Sequence, residues 1–437
     1  FVYLNEKKNG ITGLIRLFFS AGYFDRFFMI FGDENSSTTK TILLSFSLLS
    51  PKLSLFAINA DYTIEKITIF RRLISPLKLV LSSFESFFLF QQAKRECREY
   101  QKSDCPNKLK SLEPGDSILY IKSGLQLGPN VGGSVGHIAG IVNGFSSKFD
   151  VTFVSCQEPV MLESCVQIKK INLQKIVFSF PNDLNRLKVN QRSILEVEKQ
   201  ILRQKPVVIY ERLGVFNYVA AYLSVKYGIP YILEYNGSEI WIQNNWSAGV
   251  KFSKLGINIE NYCLKSAVLI VTISQVLKDE LIMRGVDKEK IVHYPNCINP
   301  KIYDKDRYSA ESISKFRKRL GYLEKEKIFT FIGTFGEWHG IIFLVKTIKI
   351  LIDEFEDSME KHSIRFLLIG DGVNGHEARE VLSEKKYHKF VKFTGLVPQQ
   401  VSPEYLGMSD CFLSPHTKRK EKFFGSPTKL FEYMGFA

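Results

Sequence analysis

The sequence predicts an α/β protein with two Rossmann-like domains facing each other across a cleft, preceded by an N-terminal α/β extension. Three observations predict it. From about Ile118 short apolar runs alternate with amphipathic stretches, the pattern of βαβ units whose parallel sheet carries helices on both faces. The alternation comes in two series, and the segment between them, Pro295 to about Lys325, is more polar, as an inter-domain connection is. The 437 residues, 45% hydrophobic and 24% charged, leave room for two or three ordinary cores.

In order, the elements are the strand SILYI, a Gly-rich loop, GHIAGIVNGF, the strand DVTFVS, a charged helical stretch from Asp183 to Lys205, VVIY, YVAAYLSVKYG and PYILEY. VLIVTIS, KIFTFIG, a helix from about Gly340, IRFLLIGDG, a helix near Glu377, KFVKFTG, CFLSP and KLFEYM continue the pattern. The expected division is an extension over residues 1–112, a first domain over 113–300 and a second over 301–437. Doubly wound sheets bind ligands at the carboxyl ends of their strands, so the two domains enclose a cleft. The first hundred residues differ: RLFFSAGYFDRFFMIFG, LLSFSLLS and PLKLVLSSFESFFLF are apolar and aromatic, and AKRECREYQK is basic. Asp25 and Arg26 exclude a simple membrane span there. The run Ile69–Gln92, with Arg71, Arg72 and Lys78 among its apolar residues, is expected to be a core-facing helix of a small α/β unit. The alternative is an interfacial amphipathic helix.

Composition narrows the function classes. Seven cysteines at irregular spacing form no CxxC pair and lie near no histidine at ligand spacing, so neither a zinc site nor a disulfide framework is expected. A reducing cytosol fits that usage. FVYLNEKKNG has no initiator Met and no signal-peptide pattern, so it reads as a fragment boundary. A net charge of +14 and a pI near 9.2 suit nucleic acid, an anionic membrane surface or phosphorylated substrates. With no zinc-finger, RNP or basic-zipper pattern, nucleic acid is not an expected partner.

Three segments carry candidate chemistry. In GPNVGGSVGHIAG, Gly132 and Gly133 permit a tight turn after SILYI, and Ser134 is placed to cap the next helix. That helix start suits an anionic group, and His137 lies one turn in. The spacing is not the dehydrogenase GxGxxG, so a nicotinamide cofactor is not expected. The second segment pairs VVIYERLGVFN with PYILEYNGSEIW. Tyr210, Glu211 and Arg212, then Glu234, Asn236, Ser238 and Glu239, follow two successive strands and land on the edge that holds the glycine loop. The third is GSPTKLFEYM, where Ser426 and Pro427 suit a helix start. Gly425 and the amides after it could contact a diphosphate, and Lys418, Arg419, Lys420 and Lys422 lie close by. Glu432, further along that helix, is placed to accept both hydroxyls of a ribose.

GSPTKLFEYM resembles the nucleotide-sugar signature of the GT-B glycosyltransferases, in the retaining group called family 4. IGTFGEWHG (332–340), LLIGDGVNGHE (367–377), FTGLVPQQVSPEYLGMSDCFLSP (393–415) and VTISQVLKDELIMRGVDKEKIVHYPNCIN (271–299) are similar to that family's blocks. GGSVGHIAG, IYERLGVFN and EYNGSE resemble its first-domain loops. The likeness runs from about Ser117 to the end. It implies that Glu432 holds the donor ribose and that Gly425, Ser426, Pro427, Thr428 and Lys429 lie at the diphosphate. Gly395 and Val397 would flank the base, and Gly333, Thr334, His339 and Gly340 would form the loop under the diphosphate and sugar. Gly132, Gly133, Ser134, Asn236 and Glu239 fall on the acceptor side, with Glu211, Arg212 and His137 as catalytic candidates. It implies no metal and no cofactor: a nucleoside diphosphate sugar is the donor, and a glycan or lipid-linked glycan the acceptor. Transfer would be retaining, at the cytoplasmic face of a membrane.

The chain departs from the family pattern at several positions. Phe424 stands where the family often has a sugar-contacting glutamate. Thr334 and His339 occupy positions where Arg and Lys are common, the acceptor-side histidine falls near Glu211 or Arg212, and Cys297 replaces the glycine of a PNG turn. The sequence also stops at MGFA, so the second domain is expected to be incomplete and the chain alone poorly soluble. These departures lend weight to an alternative: a catalytically inactive GT-B protein acting as partner or scaffold.

Overall fold

The computed structural model describes residues 6–21, 25–33, 35–50, 53–100, 109, 111–125, 132–246, 249–417 and 423–437. Three sheets organise them. β1 (Arg26–Ile30), β2 (Ser54–Ile58) and β3 (Ile64–Ile67) form a small sheet in that order, β1 parallel and β3 antiparallel to β2. The second sheet holds β4 (Ser117–Lys122), β5 (Asp150–Ser155), β6 (Gln167–Lys170), β7 (Val208–Arg212), β8 (Tyr231–Tyr235), β9 (Leu269–Thr272) and β10 (Ile291–His293). Its order is β10-β9-β8-β7-β4-β5-β6, with every pair parallel. The third holds β11 (Lys327–Ile332), β12 (Ile364–Ile369), β13 (Val391–Gly395) and β14 (Cys411–Phe412), parallel in the order β13-β12-β11-β14.

Both larger sheets reverse their winding beside their first strand. β4 lies between β5 and β7, and β11 between β12 and β14. Such switch points open a crevice at the strand ends because successive connections leave in opposite directions. The strands are apolar on both faces, as parallel strands under helices must be. Ile118, Tyr120, Tyr210 and Ile232 pack toward the Gly133–Ser146 helix. Leu119, Ile121, Ile209, Tyr231 and Leu233 pack on the other face with residues of the helices Asn185–Gln204, Val219–Tyr227 and Ser253–Ser266.

The N-terminal segment is an α/β unit whose long helix, Ile69–Tyr100, sets one face on the core of the first large unit and leaves a second apolar face exposed. Arg72, Ser75, Ser82, Ser86, Ala93, Glu96 and Cys97 are buried, and Leu79, Leu89 and Phe90 pack against the core of the first large unit, while the phenylalanines at 70, 84, 87 and 88 are exposed. The inner polar groups find partners. Arg72 donates to the Leu53 carbonyl at 3.1 Å and the Ser50 carbonyl at 2.7 Å. Lys188 donates to the Ser82 carbonyl at 2.7 Å, and Tyr218 donates to Glu96 at 2.7 Å. The expected core-facing helix is present for one face; the exposed phenylalanines on the other were not anticipated, because apolar residues all round a helix do not say which side meets the core.

Candidate active site

Residues from both switch points meet. On the first side, the turn after β4 reaches Gly132, whose N–H donates to Gln399 Oε1 at 3.3 Å. A Cβ on Gly133 would lie 1.9 Å from Thr428 Oγ1, so glycine leaves the room that the Thr428 side chain fills against this backbone. Ser134 does not cap the helix: the cap position is Gly132, and no side chain bonds there. Residues 126–131 lie outside the described residues.

Glu234, at the end of β8, is the centre of this side. Its carboxylate accepts from Arg212 Nη1 at 2.5 Å, Asn236 Nδ2 at 2.7 Å and Tyr120 OH at 3.1 Å. His137 Nε2 lies 3.3 Å from the same carboxylate. Burial works against ionising Glu234, but the Arg212 guanidinium and then His137 overcome it and hold the carboxyl well below the usual range. Burial also disfavours the imidazolium of His137, yet Cys297 and Glu234 as hydrogen-bond partners outweigh it and raise its pKa.

His137 Nδ1 accepts from the Cys297 backbone N–H at 3.3 Å. With Nε2 beside Glu234 and Nδ1 beside the Cys297 N–H, the ring ties the Asn296–Cys297 loop to the first sheet. The catalytic assignment of Glu211 is corrected. It alternates with Arg212 along β7, so it points to the opposite face, fully buried. There it accepts from Tyr231 OH at 3.1 Å and the Ala220 N–H at 3.4 Å, and burial pushes its pKa up to about 8. Glu239 opens the Glu239–Trp246 helix and is half-buried. Burial raises its pKa to about 7, against the pull of Arg212.

On the second side, β11 runs into Gly333, where a Cβ would lie 2.7 Å from His339 Nδ1 and 2.9 Å from Lys429 Nζ. Thr334 is next to the first side, its methyl 3.8 Å from a Cβ built on Gly132, and Gly340 caps the Ile341–Lys361 helix. Lys429 Nζ lies 3.2 Å from His339 Nδ1 and 4.1 Å from the centre of the Phe331 ring. Burial lowers the Lys429 pKa to about 7, and burial, then Lys429 and His416, lowers that of His339 to about 3. Glu432 sits one turn into the Thr428–Met434 helix, buried, accepting from Gln399 Nε2 at 3.2 Å. Burial raises its pKa to about 7, against Tyr303 and Lys429. Gly395 ends β13, while the Val397 side chain joins the core around Ile369 and Met408.

The helix start differs from expectation. Pro427 is the extended cap residue, and Ser426 Oγ instead accepts from the Asn296 N–H at 3.1 Å. Asn296 Nδ2 also donates to the Ser426 carbonyl at 2.5 Å. Lys418, Arg419, Lys420 and Lys422 lie outside the described residues. Gln399, Tyr303 and Asn296 were not foreseen as site residues. Their signal was present but weak, since each is a polar residue inside a block quoted for the resemblance or just past one.

Phe424 has a definite place. It stacks on Trp246 with ring centres 5.4 Å apart and meets Trp241 edge-on at the same separation. Trp246 stacks in turn on Trp338 of the second side at 4.7 Å. Phe424, Trp241 and Trp246 border a pocket of about 780 Å³, whose walls include Ile257, Met283 and Arg284.

Two family models match the chain: Glycosyltransferase Family 4 at residues 131–302 and Glycosyl transferases group 1 at residues 312–436. The alpha-monoglucosyldiacylglycerol synthase of Acholeplasma laidlawii is 24% identical over 164 residues, 38% of this chain and 39% of that protein. TuaC of Bacillus subtilis (strain 168), a glycosyltransferase assigned to teichuronic acid biosynthesis, is 25% identical over 216 residues, 49% of this chain and 46% of that protein. The matches thus span less than half the length of these curated relatives. Among solved structures, Anabaena HepE in complex with UDP and glucose superposes with a TM-score of 0.51 at 16% identity, covering 74% of this chain and 78% of that one. With two matching models in tandem and a fold shared with such structures, the chain belongs to the family 4, group 1 glycosyltransferases of GT-B fold.

Proposed function

We propose that this chain moves a hexosyl unit, with retention, from a nucleoside diphosphate sugar to a glycan or lipid-linked glycan acceptor, with no required metal. The observation that carries this reading is Glu432, a buried carboxyl beside Lys429 at the junction of the two switch points. In this reading the Glu432 carboxylate accepts the ribose hydroxyls, and Lys429 and the amides around Thr428 face the diphosphate. As the bond from the sugar to the diphosphate breaks, negative charge collects on the leaving group. Cationic and N–H groups held in a dry site stabilise that charge without reorganising. The acceptor hydroxyl attacks from the same face, on the side of Arg212, Asn236 and Glu239. The pocket walled by Trp241, Trp246 and Phe424 suits an acceptor with an apolar portion. The relatives named for glycolipid synthesis and teichuronic acid biosynthesis, and the UDP and glucose held by the Anabaena protein, support the same class of chemistry.

The test is a panel of nucleotide sugars scored by thermal stabilisation and then by transfer. At least one nucleoside diphosphate sugar should raise the Tm. Glu432→Gln should weaken its binding by about 10–100-fold, the worth of charge-assisted hydrogen bonds. Phe424, filling a position where the family often has an acid, favours a second reading as an inactive partner protein. Stabilisation by no donor, with no turnover, would decide for that second reading.

A further inference from the structure

We propose that the Ile69–Tyr100 helix is a membrane-docking element that lies in the plane of an anionic bilayer with its outer face among the acyl chains. The proposal stands apart from the donor-site reading. Phe70, Leu77, Leu81, Phe84, Phe87 and Phe88 are each more than half exposed. Their spacing places them along one helix face, while Arg72, Ser82, Ser86 and Glu96 point inward and are buried. A surface helix in water carries polar residues on its outer face. Ala93 and Cys97 are buried beside the inner polar residues, and Leu79, Leu89 and Phe90 pack on the core; the helix is thus apolar on both faces, and with the inner face already occupied the outer one is built for an apolar surrounding.

The helix is long and apolar enough to cross a membrane. Its inner face, however, is held along its length by Lys188, Phe252 and Tyr218 of the first large unit. It therefore lies along a surface. From Phe70 to Phe88 the row extends about 27 Å at the rise of an α-helix. A second copy of the chain does not fit such a strip: about 27 Å by about 10 Å is roughly 300 Å², against about 800 Å² per partner in a stable complex. A bilayer accepts a convex apolar strip without shape complementarity or hydrogen bonds.

Charge points to the same occupant. Arg71, Lys78, Lys94, Arg95 and Arg98 outnumber the outward acids Glu85 and Glu99 on this helix, and the whole chain carries +14. Basic residues beside an apolar face are attracted to anionic headgroups. The helix also lies outside both segments that match the family models, so it is an addition to the shared fold.

Flotation of the full chain with vesicles tests the proposal, using equal parts phosphatidylcholine and phosphatidylglycerol against phosphatidylcholine alone. The chain should float with the anionic vesicles. The double variant Phe84→Glu, Phe87→Glu should bind at least about tenfold more weakly, with an unchanged Tm because both side chains are exposed. Phe88→Trp should shift its emission to the blue on adding the anionic vesicles. Failure to float with them, or equal flotation of the double variant, would overturn the proposal. So would light scattering that shows a dimer dissociating in the double variant, since a second copy would then be the occupant. Nucleotide-sugar stabilisation is measured without vesicles, so either reading can fail alone.

Discussion

Glu211 and Glu234 end neighbouring strands and are both buried, yet their protonation differs because their partners do. Glu234 has Arg212 and His137 within reach, whereas Glu211 has a tyrosine hydroxyl and a backbone N–H. The consequence for Glu211 is a measurable pH dependence. Its folded pKa, about 8, lies above the ordinary carboxyl value of about 4.3. Between those values the folded chain binds a proton that the unfolded chain has lost, so stability falls as pH rises through that window. The total loss is at most about 5 kcal/mol. Glu211→Gln should remove this slope and give a higher Tm than wild type near pH 8, with little difference near pH 4. A parallel pH profile for both proteins would contradict the assignment. The strand spacing alone shows that Glu211 and Arg212 face opposite ways. Which face holds the cleft depends on the neighbouring strands, so sequence grouped the two as one catalytic pair.

Elements carry the next level of information. The three tryptophans of the chain, Trp241, Trp246 and Trp338, come from two sides of the cleft and share one aromatic cluster with Phe424. Phe424 therefore supplies packing where the family often supplies an acid. Phe424→Ala should red-shift the tryptophan emission as water enters the cluster. It should also cost about 1–3 kcal/mol in thermal or urea unfolding, less than a fully buried aromatic because Phe424 is half-buried. Unchanged emission would show that the cluster does not persist in solution. The strands and most helices of both large sheets were legible, because a parallel strand buried on both faces leaves a nearly continuous apolar run. The Ile69–Tyr100 helix was legible as a helix, but not the surroundings of each of its faces, because an apolar row suits both a core and lipid.

At the scale of the whole molecule, polar links join the two large sheets around the cleft. Among the described residues these include Gly132 to Gln399 and Asn296 to Ser426. Asn296→Ala removes the side-chain bond to the Ser426 carbonyl and keeps the backbone one. The expected loss is about 1 kcal/mol, or about fivefold in UDP affinity by calorimetry, with an unchanged far-UV spectrum. An unaltered affinity would mean that nucleotide binding does not depend on this contact. The sequence by itself determined the α/β class, the two series of βαβ units and the segments whose polar residues gather at the cleft. Each of these follows from local periodicity and turn chemistry. Only the tertiary structure decided that Glu234 is the hub of the first side, that His137 is a bracket, that Glu211 belongs to the core and that the Ile69–Tyr100 helix turns Phe70, Phe84, Phe87 and Phe88 outward. Those outcomes depend on which residues distant in the chain become neighbours, and burial and charge pairing exist only once the sheets have assembled.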